Sequence, residues 1–164
     1  MNEHKHGIPV IVNLAALASY DGVNDDPMQM LISGELFPGK SATTLHYIEN
    51  LEDEETGEIT KSEIQLILEK DQVTMNRSGH YSNTMLFIKN RRYETTYHTP
   101  YGSLPMVVIP REVSCDINSK TGKVHLRYEL IMQGKYASTN ELHLEYWSKA
   151  SEKGKKNDRQ ETAE

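Results

Sequence analysis

Val124-His125-Leu126-Arg127-Tyr128-Glu129-Leu130-Ile131-Met132-Gln133 sets the fold, because Val124, Leu126, Tyr128, Leu130 and Met132 share one parity while His125, Arg127, Glu129 and Gln133 share the other. Successive side chains of an extended chain point to opposite faces, so the stretch reads as a strand with one apolar face and one wet face. Residues 139–147 repeat the pattern, with Leu142, Leu144 and Tyr146 inward and Glu141, His143 and Glu145 outward. The two segments are expected to pair antiparallel, joined near residues 134–137.

Working outward, the same alternation predicts strands over 8–20, 28–37, 43–51, 63–69, 72–78, 83–89, 93–99, 103–109 and 112–118. The links are short and carry turn chemistry: Asp21-Gly22, Pro38-Gly39, Ser78-Gly79, Tyr101-Gly102 and Thr121-Gly122. Residues 54–68 admit a short helix on the spacing of Ile59, Ile64 and Leu68, but a strand is preferred there. About ten strands in up-and-down order leave exposed edges unless the sheet closes on itself. The expected fold class is therefore all-β, an antiparallel up-and-down barrel of about eight to ten strands. Its limits are drawn as a flexible N-terminus over 1–7, a barrel domain over 8–148 and a disordered charged tail over 149–164, the last having no large apolar residue.

Composition agrees. A hydrophobic fraction of 37% suits strands that are half wet, and nine tyrosines against two phenylalanines suit positions where a ring packs and a hydroxyl seeks a partner. Eighteen Lys and Arg against 24 Asp and Glu give a net charge of −6, which repels phosphate backbones and anionic lipid. Neither nucleic acid nor a membrane is expected as a partner. The single cysteine, Cys115, allows no internal disulfide, and a cytoplasmic location is expected. Ala16-Leu17-Ala18 after an apolar run has the look of a signal-peptidase site, but Glu3 offsets Lys5 in the leader, and Pro9 and Asn13 interrupt the run.

Two groups of residues suggest a site. Thr95, Tyr97, Thr99 and Tyr101 form a row of hydroxyls on one nominal face ending at a turn; such a row lines a pocket or pairs across strands on a wet surface. Arg77 shares parity with Val73 and Met75, and Glu49 with Leu45 and Tyr47, so an inward Val73 carries Arg77 into the barrel, where it wants a carboxylate or an anionic ligand. The candidate ligand-binding residues are Glu49, Arg77, Tyr97, Thr99 and Tyr101, with Met75, Phe87, Leu104, Met106 and Leu126 as apolar wall. No metal site or cofactor is expected. With Asp53 at position one of a calcium loop, Gly57 falls at position five where six is required. His4 and His6 have no third ligand. Nucleophile-elbow, zinc-protease, phosphate-loop and dinucleotide motifs are absent, and no catalytic residue is assigned.

Ile32-Ser33-Gly34-Glu35-Leu36-Phe37, Leu45-His46-Tyr47-Ile48-Glu49, Val73-Thr74-Met75-Asn76-Arg77-Ser78-Gly79, Met85-Leu86-Phe87, Tyr97-His98-Thr99-Pro100-Tyr101-Gly102 and Leu126-Arg127-Tyr128-Glu129-Leu130 stand in an order that resembles the YwiB-like family across residues 8–147. The resemblance implies a bacterial, cytosolic, calycin-like barrel of the lipocalin type whose interior has room for a small, partly apolar molecule. It brings no ligand and no reaction. The sequence lacks the early G-x-W motif and the disulfides of secreted lipocalins, so their ligands are not carried over. Two functions are weighed: a barrel that binds a small, partly apolar or anionic molecule, and a filled barrel that meets a protein partner or pairs with itself as a homodimer. An enzyme ranks third.

Overall fold

The computed structural model of the chain describes residues 7–53 and 55–150. They form eleven strands: β1 (Ile8–Tyr20), β2 (Val23–Asn24), β3 (Met28–Phe37), β4 (Thr43–Glu52), β5 (Ile59–Glu69), β6 (Gln72–Gly79), β7 (Asn83–Ile88), β8 (Tyr93–Thr99), β9 (Gly102–Ile117), β10 (Thr121–Met132) and β11 (Lys135–Ser148). Ten of them follow one another around the wall in the order β7-β6-β5-β4-β3-β1-β11-β10-β9-β8, and β2 is a side strand on β1. The meander returns on itself because β1 pairs antiparallel with both β3 and the last strand, β11. Its two ends, β7 and β8, meet at a bridge where Ser82 and His98 exchange amide–carbonyl bonds of 3.0 and 2.9 Å. Thr95 Oγ1 also donates to the Thr84 carbonyl, at 2.7 Å. The sheet is thus an antiparallel barrel, nearly closed. No helix among the described residues is long and apolar enough to cross a membrane.

Parity decides what the barrel holds. Val124, Leu126, Leu142 and Leu144 are buried, whereas Arg127, His143 and Glu145 between them are exposed. The same alternation buries Val10, Val12 and Leu14 of β1, Leu45 and Tyr47 of β4, Ile64, Leu66 and Leu68 of β5, and Val73 and Met75 of β6. The wall residues Met75, Phe87, Met106 and Leu126 belong to this core, and Leu104 is half-buried.

Three expectations need correction. Residues 103–109 and 112–118 are one strand, β9, which runs through Pro110: Pro110 pairs with Tyr128 and Glu112 with Arg127, leaving Arg111 as the extra residue of a bulge. A bulge is where a strand tolerates a residue with no N–H to give. The β10–β11 turn lies earlier than 134–137, at Gln133 and Gly134, whose φ values of 51° and 78° give the two-residue reversal that matches strand twist. Finally, β5 starts at Ile59 instead of residue 63, extending the hairpin with β4. Residues 1–6 and 151–164, to which most of the expected flexible N-terminus and charged tail belong, lie outside the described residues.

One close approach fixes the core at the β9–β10 hairpin end of the barrel. Gly122 sits directly across from Tyr146, whose ring is 1% exposed and covers the glycine, while its hydroxyl donates to the Asn118 carbonyl at 2.6 Å. A Cβ at position 122 would lie inside the ring's van der Waals envelope. Gly122→Ala is therefore expected to cost about 1–3 kcal/mol through overpacking, despite alanine's smaller loss of backbone entropy. Urea unfolding checks this, and a neutral result would mean that the ring does not rest on the glycine.

Candidate functional site

The barrel's interior changes character toward the end formed by the β4–β5, β6–β7 and β8–β9 hairpins. On β4 the inward row Leu45, Tyr47 ends in Glu49, and on β6 the row Val73, Met75 ends in Arg77. The two strands flank β5, which places Ser62 opposite both Glu49 and Gly79. Ser62 is 2% exposed and small, and Gly79 carries no side chain, so the guanidinium can reach across β5 to the carboxylate. Arg77 Nη1 lies 2.5 Å from Glu49 Oε1, with the side chains 20% and 7% exposed. This is a charge-assisted bond within a largely desolvated wall.

Three phenols surround the pair. Tyr47 is buried, and Tyr97 and Tyr128 are half-buried. Burial raises the Tyr128 hydroxyl to about 12, against the opposing pull of Arg77. Burial likewise raises Tyr47, with Glu49 adding to the effect and Arg77 opposing it. Tyr97 is raised first by burial, with Arg77 opposing and Tyr81 and Glu49 adding. One guanidinium thus acts on all three hydroxyls, and all three remain protonated donors at neutral pH. Among the described residues none of them has a hydrogen-bond partner. Asn83, directly across from Arg77 on β7, has its Oδ1 buried and likewise unpartnered. Tyr97 stacks on Tyr81 with ring centroids 6.0 Å apart.

Of the five residues expected from sequence, Glu49, Arg77 and Tyr97 come together. Thr99 does not join them: its hydroxyl donates to the Gly102 carbonyl and accepts from the Tyr101 amide, closing the β8–β9 turn. Tyr101 is 94% exposed, because the chain has left the strand at that turn and the alternation no longer applies. Tyr47, Tyr128 and Asn83 were not singled out. Their inward parity was readable, but a tyrosine on an apolar row looks like core until Arg77 is seen beside it.

Two open clefts approach the cluster. One, of about 380 Å³ at the β7–β8 seam, is lined by Arg77, Asn83, Ser82, Thr84, Thr95 and His98 among others. The other, of about 200 Å³, includes Tyr128, Asn140, Leu142 and Ala16. A larger cleft of about 430 Å³ lies at the opposite end, between the β3–β4, β5–β6 and β9–β10 hairpins, away from the ion pair.

None of the curated proteins matches this sequence. Among solved structures, the crystal structure of ywiB protein from Bacillus subtilis is similar over 86% of this chain and 92% of its own, with a TM-score of 0.73 and 16% identity, a likeness that carries the fold. A family model described as a domain of unknown function, DUF1934, matches residues 13–144. With most of the barrel covered by that model and the same fold in the Bacillus protein, the chain belongs to the DUF1934, YwiB-like family.

Proposed function

We propose that the protein is a cytosolic bacterial binding barrel of the calycin type, holding a small molecule at its polar end. One observation carries this reading: beside an ion pair inside the wall, the Asn83 amide oxygen is buried with no partner among the described residues, and three phenols that hydrogen-bond to none of those residues stand around the pair. An unmatched buried polar atom is uncommon in a folded protein and calls for a water, an ion or a ligand. Because Glu49 already neutralises Arg77, the cluster favours a neutral or weakly anionic head group that both donates and accepts, over a dianion. Phe87 and Met106, both buried, offer apolar surface beyond it. The single thiol supports a reducing compartment: burial, helped by Asp71, raises Cys115 to about 11, which keeps it unreactive.

A second reading is favoured by the wall itself. Among the described residues β3 and β4 pair only over 34–37 and 44–47, so β3 over 28–33 has no partner on its β4 side. Leu31 and Ile48 beside this gap are 67% and 43% exposed. An unpaired edge next to apolar side chains is a template for another strand, including one from a second copy.

Native mass spectrometry of protein purified from its own host tests both. Binding predicts a reproducible excess mass that disappears in the double variant Glu49→Leu/Arg77→Met. A clean apo mass at twice the chain mass would reject the ligand and support edge pairing, and a clean monomer would reject both.

A further inference from the structure

The outer face of β10 and β11 carries a second cluster, separate from the barrel interior. Register sets His125 directly across from His143, and Glu141 lies two residues before His143 on the same face. The imidazoles stack with centroids 4.3 Å apart and planes 11° from parallel. His125 Nε2 lies 3.1 Å from Glu141 Oε2, and His143 Nε2 lies 3.6 Å from Glu141 Oε1. One ligand atom from each of the three residues falls within 4.8 Å of the others.

That spacing suits one kind of guest. A tetrahedral zinc ion with bonds of about 2.0–2.1 Å holds its donors roughly 3.3 Å apart, close to what the carboxylate already keeps to each ring. Calcium and magnesium seek shells of oxygen, whereas two imidazoles and one carboxylate suit borderline transition ions. Arg127, the cross-strand neighbour of Glu141, is engaged with Glu112 at 3.4 Å, which leaves the Glu141 carboxylate to the two imidazoles. The platform is firm, since β10 is paired along both edges, to β9 and β11, and β11 to β10 and β1. His143 is 58% exposed at its side chain, which leaves a fourth coordination position facing solvent.

We propose that His125, Glu141 and His143 form a surface site for one divalent transition-metal ion of the zinc class, with one position open to solvent. Two imidazoles and a carboxylate also stabilise a sheet without metal, so stoichiometric binding is the discriminating property. The test is calorimetric titration of the full chain with zinc chloride, in a background of His4→Ala and His6→Ala to remove the two N-terminal histidines as competitors. One ion per chain is expected, and His125→Ala and His143→Ala are each expected to weaken binding at least tenfold or so, the loss seen even for outer-shell groups. Cobalt(II) loading adds a readout that folding alone does not supply: the intense visible bands of a tetrahedral ion, absent from both variants. Circular dichroism confirms that the variants, altered only on the outer face, keep their sheet. No stoichiometric zinc binding, or equal binding in folded His125→Ala and His143→Ala, would overturn the site.

Discussion

Arg77→Ala is expected to lower the unfolding free energy by about 3 kcal/mol, because it strands the Glu49 carboxylate, 7% exposed at its side chain, inside the barrel wall. The cost sits at the lower end of the range for broken buried pairs, since the clefts at this end admit water to part of the cluster. The reverse truncation, Glu49→Gln, is expected to cost less. The Arg77 side chain is 20% exposed and can turn its charge toward solvent, whereas the carboxylate on β4 has no such exit. Removing both charges, as Glu49→Leu with Arg77→Met, is expected to leave stability within about 1 kcal/mol of the original, because desolvating an ion pair cancels most of its attraction. Urea unfolding of the four proteins checks the order. If Arg77→Ala is as stable as the original, the pair lies in water and the polar end is an ordinary rim. If the double variant is stable but loses the bound mass, the ion pair is kept for binding and not for folding.

The extent to which this site could be read beforehand follows from what period-two alternation can carry. Alternation places a residue on a face, which is why Glu49 and Arg77 were recognisable as inward charges on rows headed by Leu45 and Val73. It fails where a strand ends: Tyr101 looked like a continuation of Thr95 and Tyr97 when the chain had already turned, and Thr99, the last residue of β8, gives its hydroxyl to that turn. It also fails at bulges: residues 103–109 and 112–118 read as two strands, although β9 runs through Pro110 with Arg111 as the extra residue. Alternation says nothing about which residue of one strand stands across from which residue of the next. His125 and His143 were both visible as outward residues, yet only the β10–β11 register, with its turn at Gln133 and Gly134 and a bulge near Leu130, sets one ring on the other. The orphaned Asn83 oxygen likewise had no sequence signal, because an unmet hydrogen bond is a property of neighbours in space.

Whether the apolar half of the barrel is filled is tested by Phe87→Ala, which is expected to cost about 4 kcal/mol, the loss of a large buried ring plus the cavity it leaves. Phe87 is 0% exposed, faces Val73 across β6–β7, and meets the Tyr128 ring edge-on at a centroid distance of 4.9 Å. It therefore stands at the boundary between the apolar core and the phenol cluster. In a close-packed interior its neighbours lie on stiff strands and cannot collapse into the space, so the full penalty should appear in the urea midpoint with the m-value unchanged. An apolar cavity of that kind stays dry and accepts a small aromatic molecule, so benzene should restore part of the lost stability. A loss under about 1.5 kcal/mol, well below the usual range for deleting a core phenylalanine, would mean that the ring borders a space already open or able to close. The apolar half would then be available to a ligand's tail. The full penalty would confine any ligand to the polar end, among Glu49, Arg77, Asn83 and the three tyrosines, and would make it a small and mostly polar molecule.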